Sequence, residues 1–195
     1  MMRAARFYNK FDVRVEDVPI PEPKDGEVLV DIAWGGICGT DLHEYVIGPL
    51  VIPTKERPNQ FTGDSLPVTL GHEFCGHVTS VPDGAKGADG TPLREGQPVM
   101  VDPRLNCRSC FSCNDGSTNL CSKWAFLGLA GGGGGFSETV AVQPHMCYPL
   151  PEDMPLDQAV LIEPLAVGRH AIVKTGLPLE DFKDLSFLVV GGKFL

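Results

Sequence analysis

Apolar residues in this chain fall into short alternating runs. In GEVLVDIAW, residues 26–34, Val28, Val30 and Ile32 alternate with polar or small neighbours, the period of a strand that buries one face. The same period recurs in FCGHVTSV, QPVMVDP and FSETVAVQP, and turns rich in Pro and Gly, such as PEPKDG, PDGAKGADG and GGGGG, separate the runs. Short strands punctuated this way predict a mainly β domain, a barrel or a sandwich. The run Gly131–Gly135 precedes a strand-like stretch and not a helix, so it reads as a flexible turn and not as a phosphate loop.

The pattern changes near residue 155. In PLDQAVLIEPLAVGRHAIVKTGL, Asp157 can cap a helix that carries Val160 and Leu161, Pro164 breaks or restarts it, and Gly176 stands where it should end. Leu185–Val190 reads as a buried strand. The predicted organisation is therefore a β domain over 1–155, then a linking helix and the first strand of an α/β unit over 156–195. That strand runs into VVGGKFL. Gly191 and Gly192 suit the opening of a dinucleotide-binding turn, but Lys193 stands where its second glycine belongs, and no helix follows.

Charge and composition narrow the partners. With 25 acidic against 16 basic residues the net charge is -9, which argues against nucleic acid or an anionic membrane surface. No run approaches the roughly 20 apolar residues of a membrane span, and the N-terminal stretch has no signal-peptide core. The chain is expected in the cytoplasm. In that reducing setting seven cysteines point to metal or catalysis ahead of disulfides.

CRSCFSCNDGSTNLC places Cys107, Cys110, Cys113 and Cys121 as C-x2-C-x2-C-x7-C. Four thiolates so spaced can close a tetrahedron around Zn2+ and leave no position for substrate, the form of a structural site. A bacterial iron–sulfur run also begins C-x2-C-x2-C, but its fourth cysteine follows after three residues and precedes Pro; here seven intervene and Ser122 follows. Zinc is the expected ion. A second constellation, in GGICGTDLHEY and GHEFCGHV, holds Cys38, Thr40, Asp41, His43, His72 and Glu73. One Cys, one His and a carboxylate would supply the three ligands of a catalytic zinc.

These stretches, together with FLGLAGGGGGFSE and LIEPLAVGRHA, occur in one order along the chain. They resemble the zinc-containing medium-chain alcohol and polyol dehydrogenases, most of all the 2,3-butanediol dehydrogenase branch. The resemblance implies a GroES-like, partly open β barrel with a zinc lobe, followed by the start of an incomplete Rossmann domain. It implies two Zn2+ ions, one catalytic and one structural. Cys38 and His72 match catalytic zinc ligands, and Glu73 and Glu163 share the remaining acidic role. Thr40 and His43 match the proton relay. The implied reaction oxidises a secondary alcohol to a ketone by hydride transfer to NAD, with a small diol or hydroxyketone as substrate and homo-oligomers among full-length relatives. Without the cofactor-binding glycines, the chain as given is expected not to turn over NAD by itself. A non-catalytic zinc-binding fragment or interaction module is the other reading. Cys75 and Cys147 match no ligand position, and His77, His145 and His170 read as structural, with His170 on the helix making a core hydrogen bond.

Overall fold

A computed structural model describes residues 1–178 together with Glu180, Lys183 and Ser186. Apart from Ser186, the strand expected at Leu185–Val190 and the glycines after it lie outside the described residues. Two compact units are separated, Met1–Glu163 and Pro164–Leu195, with the boundary inside the last helix.

The first unit is mainly β. Its strands are β1 (Met2–Asn9), β2 (Asp12–Val18), β3 (Val28–Gly36), β4 (Val68–Thr69), β5 (Glu73–Ser80), β6 (Pro98–Val101), β7 (Arg104–Leu105), β8 (Ala125–Phe126), β9 (Thr139–Val142) and β10 (Cys147–Pro149). Helices α1 (Gly39–Ile47), α2 (Phe111–Asn114), α3 (Leu156–Ala159) and α4 (Ile162–Lys174) complete the described elements, with two short 3-10 turns. The strands form a five-stranded antiparallel sheet ordered β10-β6-β5-β3-β9, a three-stranded sheet β2-β1-β4 and the ribbon β7-β8. This is an open barrel-like arrangement and not a closed ring.

The alternation read in the sequence places the core. Val28 and Val30 of β3, Phe74 and Val78 of β5, Val99 and Val101 of β6 and Val140 and Val142 of β9 bury together. The other face of β5 and β6 is covered as well, because Cys75 and Met100 pack against Ala159 and Val160. All of β6 and the first half of β5, residues 73–76, are therefore buried on both faces, whereas His77 and Thr79 of β5 keep the wet face that alternation predicts.

Several local readings differ from the structure. The hairpin β1–β2 and helix α1 were not predicted; β1 carries Arg3 and Arg6, which mask its period, and α1 opens on glycine. Asp157 lies in the first turn of α3 and the N-cap is Pro155. Val160 and Leu161 form the turn between α3 and α4, so the single expected helix is two. Pro164 falls in the first turn of α4, where a missing N–H costs no hydrogen bond. Gly176 does follow the helix end, with φ 72°.

Candidate metal centres

Strand register brings distant donors together. Antiparallel pairing of β3 with β5 sets Gly36 opposite Glu73, and two residues beyond Gly36 the chain reaches Cys38 while one residue before Glu73 stands His72. One ligand atom each from Cys38, His72 and Glu73 then lies within 4.8 Å of the others. The approach at the pairing point is close, since a Cβ on Gly36 would sit 2.4 Å from Glu73 Oε2 and displace that carboxylate. Cys38 is the N-cap of α1, so its sulfur meets the positive end of the helix.

Asp41 ties two of these donors. Its Oδ2 accepts the Cys38 amide N–H at 2.9 Å, and its Oδ1 faces His72 Nδ1 at 3.7 Å, just beyond hydrogen-bond reach. Both facing atoms are buried and lack a hydrogen-bond partner among the described residues. Burial works against charging the ring, yet the Asp41 carboxylate and then the Cys38 thiol outweigh it and bring the His72 pKa up to about 9. A cluster of sulfur, imidazole and carboxylate that draws a proton in this way is electron-rich enough to suit a cation. The sequence reading noted Asp41 but gave it no role; its place three residues after an N-cap cysteine is the signal that could have done so.

Glu163, in the first turn of α4, stands outside this group of three. Burial raises its pKa, with His72 opposing and Glu73 and Asp102 adding to the rise. Thr40 Oγ1 lies 3.6 Å from Cys38 Sγ, and His43 is exposed three residues further along α1, on the same side of the helix. Buried Glu44 was missed by sequence reasoning. Its Oε2 and Oε1 accept the amides of Leu50 at 2.8 Å and Val51 at 2.7 Å, which pins the loop after α1. Glu44→Gln is expected to lower stability in urea by about 1–3 kcal/mol, because an amide can accept only one of these N–H groups; an unchanged midpoint would refute this tie.

The four cysteines form a separate group, again with ligand atoms within 4.8 Å of one another. Sγ of Cys107 lies 3.5 Å from that of Cys121 and 4.0 Å from that of Cys113. Backbone amides aim at these sulfurs: Cys110 N–H donates to Cys107 Sγ at 3.4 Å, and Cys107 and Lys123 N–H groups donate to Cys121 Sγ at 3.3 Å each. Amides at Ser109 and Cys110 help bring the Cys107 pKa down to about 5, whereas desolvation and the adjacent thiols push Cys113 up to about 12. Anion-stabilising amides beside a thiol that cannot ionise among its neighbours are what four thiolates show when they need a shared cation.

The model for the alcohol dehydrogenase GroES-like domain matches residues 24–152. The chain belongs to that family. It is 46% identical over 181 residues to the (R,R)-butanediol dehydrogenase of Neisseria gonorrhoeae (strain ATCC 700825 / FA 1090), which covers 92% of this chain and 49% of that protein. Among solved structures it is similar to 2R,3R-butanediol dehydrogenase from Bacillus subtilis, with TM-score 0.74, 40% identity and coverage of 84% of this chain and 44% of that one. A zinc-binding dehydrogenase from Sinorhizobium meliloti 1021 bound to NADP gives TM-score 0.72 and 32% identity, over 88% of this chain and 45% of that one. The chain thus spans about half the length of the curated relatives it matches.

Within this GroES-like domain the glycine run is not a flexible turn but a packed one. Gly135 N–H donates to Gly71 O at 2.7 Å, Phe136 N–H to Leu70 O at 2.9 Å, and Gly132 N–H to Asp64 Oδ2 at 2.7 Å. A Cβ on Gly128 would lie 1.9 Å from Gly71 O, and one on Gly134 would lie 2.5 Å from Leu70 O. The turn therefore backs directly onto the residues that deliver His72. Phe126 meets the His72 ring edge-on at 5.8 Å, and Trp124 lies against Phe126 at 5.0 Å.

The remaining thiols of the domain are buried. Cys75 Sγ donates to Leu156 O at 3.1 Å, and burial pushes Cys75 up to about 11 and Cys147 to about 12, which makes both inert. His77 and His145 are exposed. His170, in the second unit, is exposed and makes no side-chain hydrogen bond among the described residues. No helix among the described residues is long and apolar enough to cross a membrane.

Proposed function

We propose that residues 1–155 are the metal-binding catalytic domain of a zinc-dependent oxidoreductase of the 2,3-butanediol and polyol dehydrogenase type. Residues 156–195 then lead into its nucleotide-binding domain. The observation that carries the reading is the convergence of Cys38, His72 and Glu73 at one point, apart from a complete four-cysteine set. Three protein donors leave a position for substrate; four thiolates leave none. Similarity to butanediol dehydrogenases supports a vicinal diol or hydroxyketone as substrate, with NAD(H) as the hydride partner. Two zinc ions are the cofactors this donor inventory suits. Seven unpaired cysteines suit a reducing cytoplasm.

Cys38, His72 and Glu73 would hold the catalytic ion, whose Lewis acidity lowers the pKa of an alcohol hydroxyl and polarises a ketone oxygen. Asp41 Oδ1 faces His72 Nδ1 from behind, an arrangement that would orient the ring and leave its other nitrogen to the metal. The Thr40 hydroxyl, beside Cys38, takes the substrate's proton and passes it toward exposed His43. Phe126 and Trp124 give the side by His72 an apolar wall for the carbon skeleton. Glu163 is held in reserve for the neighbouring oxygen of a diol, which suits a carboxyl whose pKa burial has raised.

The test is spectroscopic. With Co2+ in place of zinc, the Cys38 centre should give thiolate-to-metal and ligand-field absorption that shifts when acetoin or butane-2,3-diol is added. Absorption from the four-cysteine group alone, unmoved by either compound, would refute the proposal. Asp41→Asn is expected to weaken metal affinity at the Cys38 centre by about 10–100-fold and leave the four-cysteine centre unchanged, as read by competition with a chromophoric chelator.

A further inference from the structure

A cavity of about 550 Å³ lies between the four-cysteine lobe and the barrel, and its lining includes none of Cys38, His72, Glu73 or Glu163. That volume falls in the range of about 300–1,000 Å³ typical of small-molecule sites. Leu127, Val142 and Met146 give it a buried apolar floor, and half-exposed Phe61 stands at its edge.

The charges around it balance in number but differ in how they are held. Both lining carboxylates are turned back onto the chain: Glu27 accepts the Lys24 amide at 2.9 Å and Gln143 Nε2 at 3.4 Å, and Asp64 accepts the Gly132 amide at 2.7 Å. Arg104 is clamped to Asp102, with Nη2 to Oδ2 at 2.6 Å. Lys24 Nζ and the Arg108 guanidinium are left with no ion-pair partner among the described residues. Arg108 is also one of two non-glycine residues held at positive φ, at 52°, between the lobe's first two cysteines. A conformation of that kind persists only where its surroundings fix it, here the turn that brings Cys107 and Cys110 together.

We propose that this cavity binds a small organic anion, a carboxylate, sulfonate or phosphate on an apolar or aromatic body. Its acidic group pairs with Lys24 and Arg108, and its body rests on Leu127, Val142 and Met146. The lining reaches Cys107 on one side and Gly132 on the other, and Gly132 belongs to the turn that backs His72. An occupant therefore touches the supports of both metal centres. Exposed Lys24 and Arg108, without an ion-pair partner among the described residues, beside an apolar floor are what would hold an acidic ligand here against the overall charge of -9.

The probe is 8-anilinonaphthalene-1-sulfonate, titrated by fluorescence into the zinc-loaded full chain. One saturable site is expected. Lys24→Glu and Arg108→Glu should each weaken it by about tenfold or more, equal to about 1.4 kcal/mol, and uncharged N-phenyl-1-naphthylamine should bind more weakly by a similar factor. Leu165→Ser, which removes an exposed apolar side chain elsewhere, should leave the constant unchanged. Absence of binding, binding that survives Lys24→Glu, or binding lost in Leu165→Ser would overturn the site. Should Arg108→Glu lower the zinc content of the lobe, the Lys24→Glu result decides alone.

Discussion

Gly128→Ala is expected to be among the most damaging single substitutions in the chain, with a stability loss of about 3–5 kcal/mol in urea unfolding. Two effects combine there. Gly128 holds φ 80°, a region that costs a residue with a Cβ about 1–2 kcal/mol. In addition the new Cβ would lie 1.9 Å from Gly71 O, a backbone atom that cannot swing away. Gly90→Ala separates the two, because Gly90 has φ 83° with nothing within 4 Å of its would-be Cβ. It should lose only the conformational part. The difference between the two variants then measures the packing of the glycine turn against Gly71, and equal losses would show that the turn does not press on the His72 segment.

Cys121→Ser should remove the ion from the four-cysteine lobe and unfold residues 104–126 locally. Little else holds this lobe. Its ladder is the two-residue ribbon β7–β8, α2 buries no residue, and Phe111 and Leu120 are 85% and 65% exposed. Binding of structural zinc in small peptides supplies about 10–16 kcal/mol of folding free energy at neutral pH, far more than this apolar surface can. Limited proteolysis should cut the lobe in Cys121→Ser, and in the original protein after chelation, while the five-stranded sheet stays intact. A lobe that resists cleavage without metal would show that it folds on side-chain packing.

The sequence made the β character and the first core legible, because period 2 in GEVLVDIAW and FSETVAVQP is the same fact as one buried face. It could not announce the second core. Nothing in FCGHVTSV says that α3 will cover the Cys75 side, since that depends on a contact with Ala159 some eighty residues away. The four-cysteine group was readable from spacing alone, because its ligands lie within one short loop. Cys38 and His72 needed the family resemblance, because only strand register joins them. The glycine run misled for a related reason. Five glycines in a row look flexible as a string, but their missing side chains let two backbones meet edge to edge, and close packing between distant segments is invisible in one dimension. Asp41 and Glu44 were hidden likewise, as buried carboxylates on a helix whose apolar positions are largely exposed.

Zinc counted by elemental analysis in purified, folded chain, and in the same chain carrying Cys38→Ser, tests the reading most directly. Two ions per chain are expected in the original protein and one in the variant, with the four-cysteine ion retained. A single ion in both, with no further uptake under excess zinc, would contradict a metal centre at Cys38, His72 and Glu73.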